Sequence, residues 1–196
     1  MTIPTSTRRP TLTDEEARDR ALDAATRLYY ARGVGAVGMD ALNAESGIGL
    51  KRLYQLFPSK EAIVEQVLNG MHDSWVADIR AAAASAPDPR GRLLAVYDYL
   101  GRWFCDDDYR GCVFINTFGE LGATSPRIAS LVRDHKRDFQ RYVSELAVEA
   151  GATEALGQQL AILAEGAQTT SAIAGTPDAA GYARDAAVTL IDAALR

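Results

Sequence analysis

Residues 39–60, MDALNAESGIGLKRLYQLFPSK, decide the fold. They divide into a helical segment at 39–46, a turn at Gly47-Ile48-Gly49, and a second helical segment at 50–57. Pro58 ends the second segment, because proline lacks an amide proton and disfavours helix in the residue before it. Leu50, Leu53, Tyr54 and Phe57 recur at i, i+3, i+4, i+7, a spacing that predicts one inward face. Lys51, Arg52 and Gln55 fall on the opposite side. A helix anchored along one side and offering Lys, Arg and Gln along the other suits the major groove of DNA, where such groups meet phosphates and fork onto base edges. Two helices joined by a three-residue, glycine-containing turn form a helix-turn-helix.

The rest of the chain bounds this reading. A length of 196 residues suits one compact unit or two small ones, and 47% apolar residues suffice for a packed core. No apolar run approaches the roughly 18 residues that span a bilayer. The N-terminus MTIPTSTRRP carries no apolar segment behind its charges, so no secretory signal is expected and a cytoplasmic location follows. Two cysteines, Cys105 and Cys112, are too few for a disulfide scaffold. The net charge of −5 is unevenly divided. Of 21 basic and 26 acidic residues, 9 and 7 lie in residues 1–60, leaving 12 and 19 in the remainder. The two parts therefore carry +2 and −7, and the positive balance falls where DNA contact is expected.

In chain order, residues 1–12 are a polar stretch with a basic pair at Arg8-Arg9, read either as an arm reaching DNA or as a tail. Thr13-Asp14-Glu15-Glu16 is a capping box that opens a helix to about Arg32, with Ala17, Ala21, Ala24, Ala25 and Leu28 facing inward. Ser59 caps a long helix over 60–84, which starts beside the DNA-reading unit and could act as a lever. Asp88 and Pro89 open a helix to about Cys105. The run 110–121, RGCVFINTFGEL, predicts a largely buried helix on which Asn116 and Glu120, at i and i+4, share a face. These two are either polar anchors in an apolar pocket or partners for nearby backbone groups. Ser125 and Pro126 open a helix to about Ala150, and the last two helices are expected over 154–174 and 178–195, capped by Thr153 and Thr176. His72 and His135 stand alone, without partners at metal-ligand spacing. No nucleophile–base pair, phosphate loop or metal spacing is present, so no catalytic residue, metal or cofactor is expected.

Residues 21–67 resemble the DNA-binding domain of the TetR (tetracycline-repressor-like) family of transcriptional regulators. The resemblance rests on ALDAATRLYYARG (21–33), DALNAESGIG (40–49) and above all RLYQLFPSKEAI (52–63), in which Leu53, Tyr54, Phe57, Ser59, Lys60 and Glu61 match the family's Leu-Tyr, Phe, Ser-Lys-Glu pattern. Gly49 stands where members often carry a serine cap. Gly111-Cys112, followed by apolar residues and Asn116, is similar to the start of the corresponding helix in one subgroup, where related cysteines sense electrophiles or oxidants. Cys112 is thus either a sensor or an inert buried thiol.

The resemblance implies an all-α protein of about nine helices. A helix-turn-helix domain at 1–60, with an arm at 1–12, would precede an effector and dimerisation domain at 61–196. It implies a non-enzymatic, ligand-responsive regulator, most simply a repressor released from a palindromic operator by a small-molecule effector. The alternative is an architectural DNA-binding or protein-interaction module. Expected DNA contacts are Gly49, Lys51, Arg52 and Gln55, the Tyr54 hydroxyl on phosphate, and Lys60 from the start of its helix. Expected effector contacts are Trp75, Trp103, Phe104, Cys112, Phe114, Asn116, Phe118, Glu120, Phe139 and Tyr142. A homodimer through the last two helices is also implied. The stripes Leu156, Leu160, Leu163, Ala164, Ala167 and Ala183, Ala186, Ala187, Leu190, Ile191, Ala194 could serve it, or could cover only their own core.

Overall fold

The computed structural model describes residues 12–195; the Arg8-Arg9 pair of the expected arm lies outside them. These residues form nine helices and no strand. They are α1 (Asp14–Arg32), α2 (Met39–Ser46), α3 (Leu50–Leu56), α4 (Lys60–Ala84), α5 (Pro89–Trp103), α6 (Val113–Leu121), α7 (Pro126–Glu149), α8 (Glu154–Ala174) and α9 (Asp178–Ala194).

Local chemistry sets most of these boundaries. Thr13 and Glu16 cap each other's backbone amides in a full capping box. The side chains of Ser59, Asp88, Ser125 and Thr153 each accept from the amide three residues on, satisfying one orphan N–H of their helix. Helices α5, α7 and α9 end one or two residues before expectation, and two other boundaries shift by a residue for visible reasons. Phe57 is extended (φ −131, ψ 121) and closes α3 rather than continuing it, because Pro58 follows. Pro177, not Thr176, occupies the cap position of α9, although the Thr176 hydroxyl still accepts from the Asp178 amide at 3.3 Å.

The buried side chains fall into two cores. The first joins α1, α2, α3 and the start of α4 to Cys112, Val113 and Phe114 of the α6 region and to Ile128 and Val132 of α7. The second joins the end of α4 to α5, the later part of α7, α8 and α9. Helix α4, about 37 Å long at 1.5 Å per residue, runs through both, contributing Leu68 to the first and Ile79 to the second.

Helices α7 and α8 cross at Gly157, which is buried and has the Ser144 backbone where a side chain would start; a Cβ there would lie 2.8 Å from the Ser144 nitrogen. In α8 the stripe of Leu156, Leu160, Ala164 and Ala167 packs into the chain's own second core, as do Ala183, Ala187 and Ile191 of α9. The large apolar side chains these helices expose are Ile162 and Ile173 on α8 and Tyr182 and Leu190 on α9, of which only Leu190 belongs to the expected stripes. Most of the stripe expected to serve a dimer is therefore interior, and the exposed apolar side chains share only Leu190 with it. Among the described residues, no helix is long and apolar enough to cross a membrane.

Candidate nucleic-acid interface and effector cavities

The turn between α2 and α3 is built by three local devices. Gly47 takes the left-handed conformation (φ 68) that ends α2, which a side chain would disfavour. The Ser46 hydroxyl donates to the Leu42 carbonyl at 2.5 Å and accepts from the Ile48 amide at 3.2 Å. The Asn43 amide group donates to the Ile48 carbonyl at 2.9 Å. Ile48 is thereby pushed into the core, and α3 begins at a fixed angle. Gly49 caps α3 without a side-chain bond, and the space where a Cβ would stand on it is open.

The buried edge of α3 is Leu53, Leu56 and Phe57. This corrects the inward face expected from spacing: Leu50 and Tyr54 are exposed, Tyr54 by 54%, and Leu56 replaces them. With the helix turned this way, Lys51 and Gln55 point directly away from the core and both are exposed. Neither has an ion-pair or side-chain hydrogen-bond partner among the described residues. Arg52 lies on the flank. Its guanidinium turns to the start of α1, donating to the carbonyls of Leu12 at 2.5 Å and Thr13 at 2.9 Å and pairing with Asp14 at 3.2 Å. Arg52 thus fastens α3 to α1 rather than standing free for a base edge. Lys60 is also turned inward. Its ammonium donates to the Val34 carbonyl at 2.6 Å, and burial lowers its pKa below the ordinary lysine value, offset in part by Glu120. Of the six residues expected at DNA, the structure brings Gly49, Lys51, Tyr54 and Gln55 to one outer surface and directs Arg52 and Lys60 to internal carbonyls.

The expected effector residues do not converge on one cavity. Trp75, Phe139 and Tyr142 line a small, partly open cavity of about 190 Å³ between α4 and α7, shared with His72, Ile79, Arg80, Asp138 and Arg141. The Arg80 guanidinium lies over the Tyr142 ring at 4.5 Å. Trp103 instead packs edge-on to Tyr109 and, with Trp75, lines an open cleft of about 510 Å³ between α1, α4 and α5. Phe104 is buried against Tyr109. Phe114 is buried too, its ring stacked on His135 at 3.5 Å. Phe118, expected inside, is 45% exposed and lines an open groove of about 440 Å³ with Ile115 and α7 residues Val132, Arg133 and Lys136. Cys112 is buried at the start of α6, with the Lys136 ammonium 3.3 Å from its sulfur. The same ammonium bonds Glu165 at 2.6 Å.

Asn116 and Glu120 are not pocket anchors. The Asn116 amide group donates to the Arg110 carbonyl at 3.0 Å, and the Glu120 carboxylate accepts from the Gly35 amide. Each satisfies backbone, because α6 lies on the surface with this face toward loops rather than toward a cavity. The two histidines, sixty-three positions apart and solitary in the sequence, meet in space: their Nδ1 atoms are 2.9 Å apart. His72 also lies 3.7 Å from Asp138. No local pattern announces this pair; only the crossing of α4 and α7 creates it. Among the described residues, no three His, Cys, Asp or Glu side chains gather as a metal site.

Comparison with known proteins finds relatives of both the helix-turn-helix and the whole fold. Residues 21–67 match the family of bacterial regulatory proteins of the tetR type. The chain is 32% identical over 121 residues to the HTH-type transcriptional activator FasR of Mycolicibacterium smegmatis, covering 61% of this chain and 53% of FasR. It is 34% identical over 79 residues to the HTH-type transcriptional repressor KstR2 of Rhodococcus jostii, covering 40% and 39%. The chain thus spans about half the length of the first of these relatives and less of the second. Among solved structures, SCO4454, a TetR-family transcriptional regulator from Streptomyces coelicolor, superposes with a TM-score of 0.87 at 26% identity, over 93% of this chain and 97% of that one.

Proposed function

From the premise that residues 21–67 form a TetR-family DNA-binding domain, we propose that this protein is a ligand-responsive transcriptional regulator. It binds a palindromic operator as a homodimer and is released by a small molecule. The observation that carries the reading is the outer face of α3: Lys51, Tyr54 and Gln55 stand exposed on a short helix held by three buried side chains. Lys51 and Gln55 meet base edges or adjacent phosphates, the Tyr54 hydroxyl meets a phosphate, and the open space at Gly49 admits the DNA backbone. Arg52 and Lys60 support this surface from behind. The DNA-reading unit is residues 1–60 and the effector and assembly unit 61–196, with α4 as the lever between them.

A palindrome requires two copies of α3 about 34–36 Å apart. The exposed Ile162, Ile173, Tyr182 and Leu190 on α8 and α9 supply an apolar face for the second copy. Ile173→Asp is expected to convert the dimer to monomer in sedimentation equilibrium; an unchanged mass would move the interface elsewhere. The effector binds between α4 and α7, where the small, partly open cavity sets aromatic walls against Arg80, Arg141 and Asp138. To weaken operator binding a hundredfold, it must favour the released state by about 2.7 kcal/mol.

The test is an anisotropy titration at two salt concentrations. The duplex is one the protein selects from a random-sequence pool, with a scrambled duplex as control. A regulator keeps its preference as salt rises; a non-specific binder loses affinity for both duplexes alike. Lys51→Ala is expected to cost about 1–3 kcal/mol and relax one base position if Lys51 reads a base. If Lys51 meets phosphate, all duplexes weaken equally and the salt slope falls by about one. Unchanged affinity would remove α3 as the reading helix.

A further inference from the structure

Resting on the reading of this chain as an operator-binding regulator, we propose that Glu120 is a positioning residue for DNA binding. From α6 it clamps the loop that leads into the helix-turn-helix. Its carboxylate accepts from the Gly35 amide, 85 positions away in sequence. The loop is shaped to receive it. Gly33 adopts φ +82, and a Cβ there would lie 2.6 Å from Glu120 Oε1; a Cβ on Gly35 would lie 2.9 Å from Oε2. Two glycines therefore leave a notch the size of a carboxylate, and a side chain at either would evict it. Between them, the Val34 carbonyl receives the Lys60 ammonium at 2.6 Å, so a cation from α4 and an anion from α6 grip the two ends of one peptide group, that joining Val34 to Gly35. Val34 and Val37 are buried beneath.

This contact differs from the other polar contacts that the segments from Arg110 to α7 make with α1 and α4. The Arg110 amide donates to the Tyr30 hydroxyl at 3.1 Å, Ser125 donates to Glu61, and Arg127 pairs with Glu65. Those grip α1 and α4. Glu120 alone among these reaches the loop whose far end starts α2, and so bears most directly on the angle at which α2 and α3 leave the core. Helix α6 also lends Ile115 and Phe118 to the open groove against α7. A shift of α6 there moves Glu120 with it, which ties the effector half to the DNA-reading half through a two-position contact.

The experiment uses the full chain, the duplex selected by the wild type, and four variants: Glu120→Ala, Glu120→Gln, Gly35→Ala, and the double Glu120→Ala/Gly35→Ala. Operator anisotropy, hydrogen exchange at the Gly35 amide and the thermal midpoint are measured for each. Glu120→Ala is expected to weaken operator binding about three- to thirty-fold, speed exchange at Gly35, and leave the midpoint close to wild type. Glu120→Gln, which keeps an acceptor but loses the charge, falls between. Gly35→Ala reproduces the loss by pushing the carboxylate out, and the double variant is no worse than either single one. Should Glu120→Ala unfold the chain, Gly35→Ala carries the same comparison. Wild-type affinity in Glu120→Ala, or strictly additive losses in the double variant, would overturn the proposal. A wild type without preference for its selected duplex would overturn the regulator reading and the proposal with it.

Discussion

Replacing Phe57 by alanine is expected to lower the free energy of unfolding by about 3–5 kcal/mol, as truncation of a buried aromatic ring does when its surroundings cannot collapse. Phe57 is fully buried and closes α3 in an extended conformation. The Arg18 guanidinium lies 4.8 Å from its ring centre, capping it from α1. The site has little freedom to close over a void, because α1 and α3 are already stitched together by Arg52. Chemical denaturation checks the magnitude. Phe57→Leu, closer in volume, should cost distinctly less. A loss below about 1 kcal/mol in Phe57→Ala, outside the range for a well-packed ring, would mean that α3 is not anchored through this residue. Operator binding should fall together with stability, since Lys51 and Gln55 are held outward only by what pins the opposite edge of their helix.

Mild acid is expected to destabilise the fold through His135. Burial first, then the Lys136 ammonium, then His72, depress its pKa from the ordinary 6.5 to about 3. Above pH 6.5 the ring is neutral in both folded and unfolded chains and contributes no pH dependence. Below that value the unfolded chain takes up a proton that the folded one refuses. Stability then falls by about 1.4 kcal/mol per pH unit until pH 3, or about 2 kcal/mol by pH 5. Urea titrations between pH 7.5 and 4.5 measure the slope. His135→Gln removes the titrating ring and is expected to flatten that portion of the curve, carboxylates accounting for what remains. Identical slopes in the two proteins would show that the His135 ring is not held neutral by its surroundings. The neighbourhood explains why it is: Phe114 lies flat on one face, and Nδ1 meets that of His72. A second proton would place two N–H groups against each other there.

The helices were readable because their signals are local. Thr13, Ser59, Asp88 with Pro89, Ser125 with Pro126, and Thr153 each carry an acceptor or a fixed φ within three residues of the end they define. The rotation of α3 was not readable from spacing. Counting i, i+3, i+4, i+7 treats a seven-residue helix as if its first residue packed like its middle. Leu50 instead begins the helix outside the contact, and the buried arc shifts by one side chain to take in Leu56. The partners of Arg52, Lys60, Asn116 and Glu120 were also out of reach. A long polar side chain can turn to DNA, to a ligand or to a carbonyl, and only neighbours supplied by distant segments decide which. For α8 and α9 the sequence did hold the signal. Ile162, Ile173 and Tyr182 lie off the expected stripes, apolar residues where water was expected, and with Leu190 at the stripe's edge they mark the exposed face better than the alanines do.

The crossing at Gly157 has a mechanical consequence. With the Ser144 main chain seated where a side chain would begin, α7 and α8 are closer than ordinary helices and interlock like a notched joint. Sliding one past the other would drive main chain into main chain, so this pair behaves as the stationary frame of the molecule. In the proposed dimer, displacement between the two recognition surfaces would then come from the pieces leaning on that frame, α4 and α6, rather than from the frame itself.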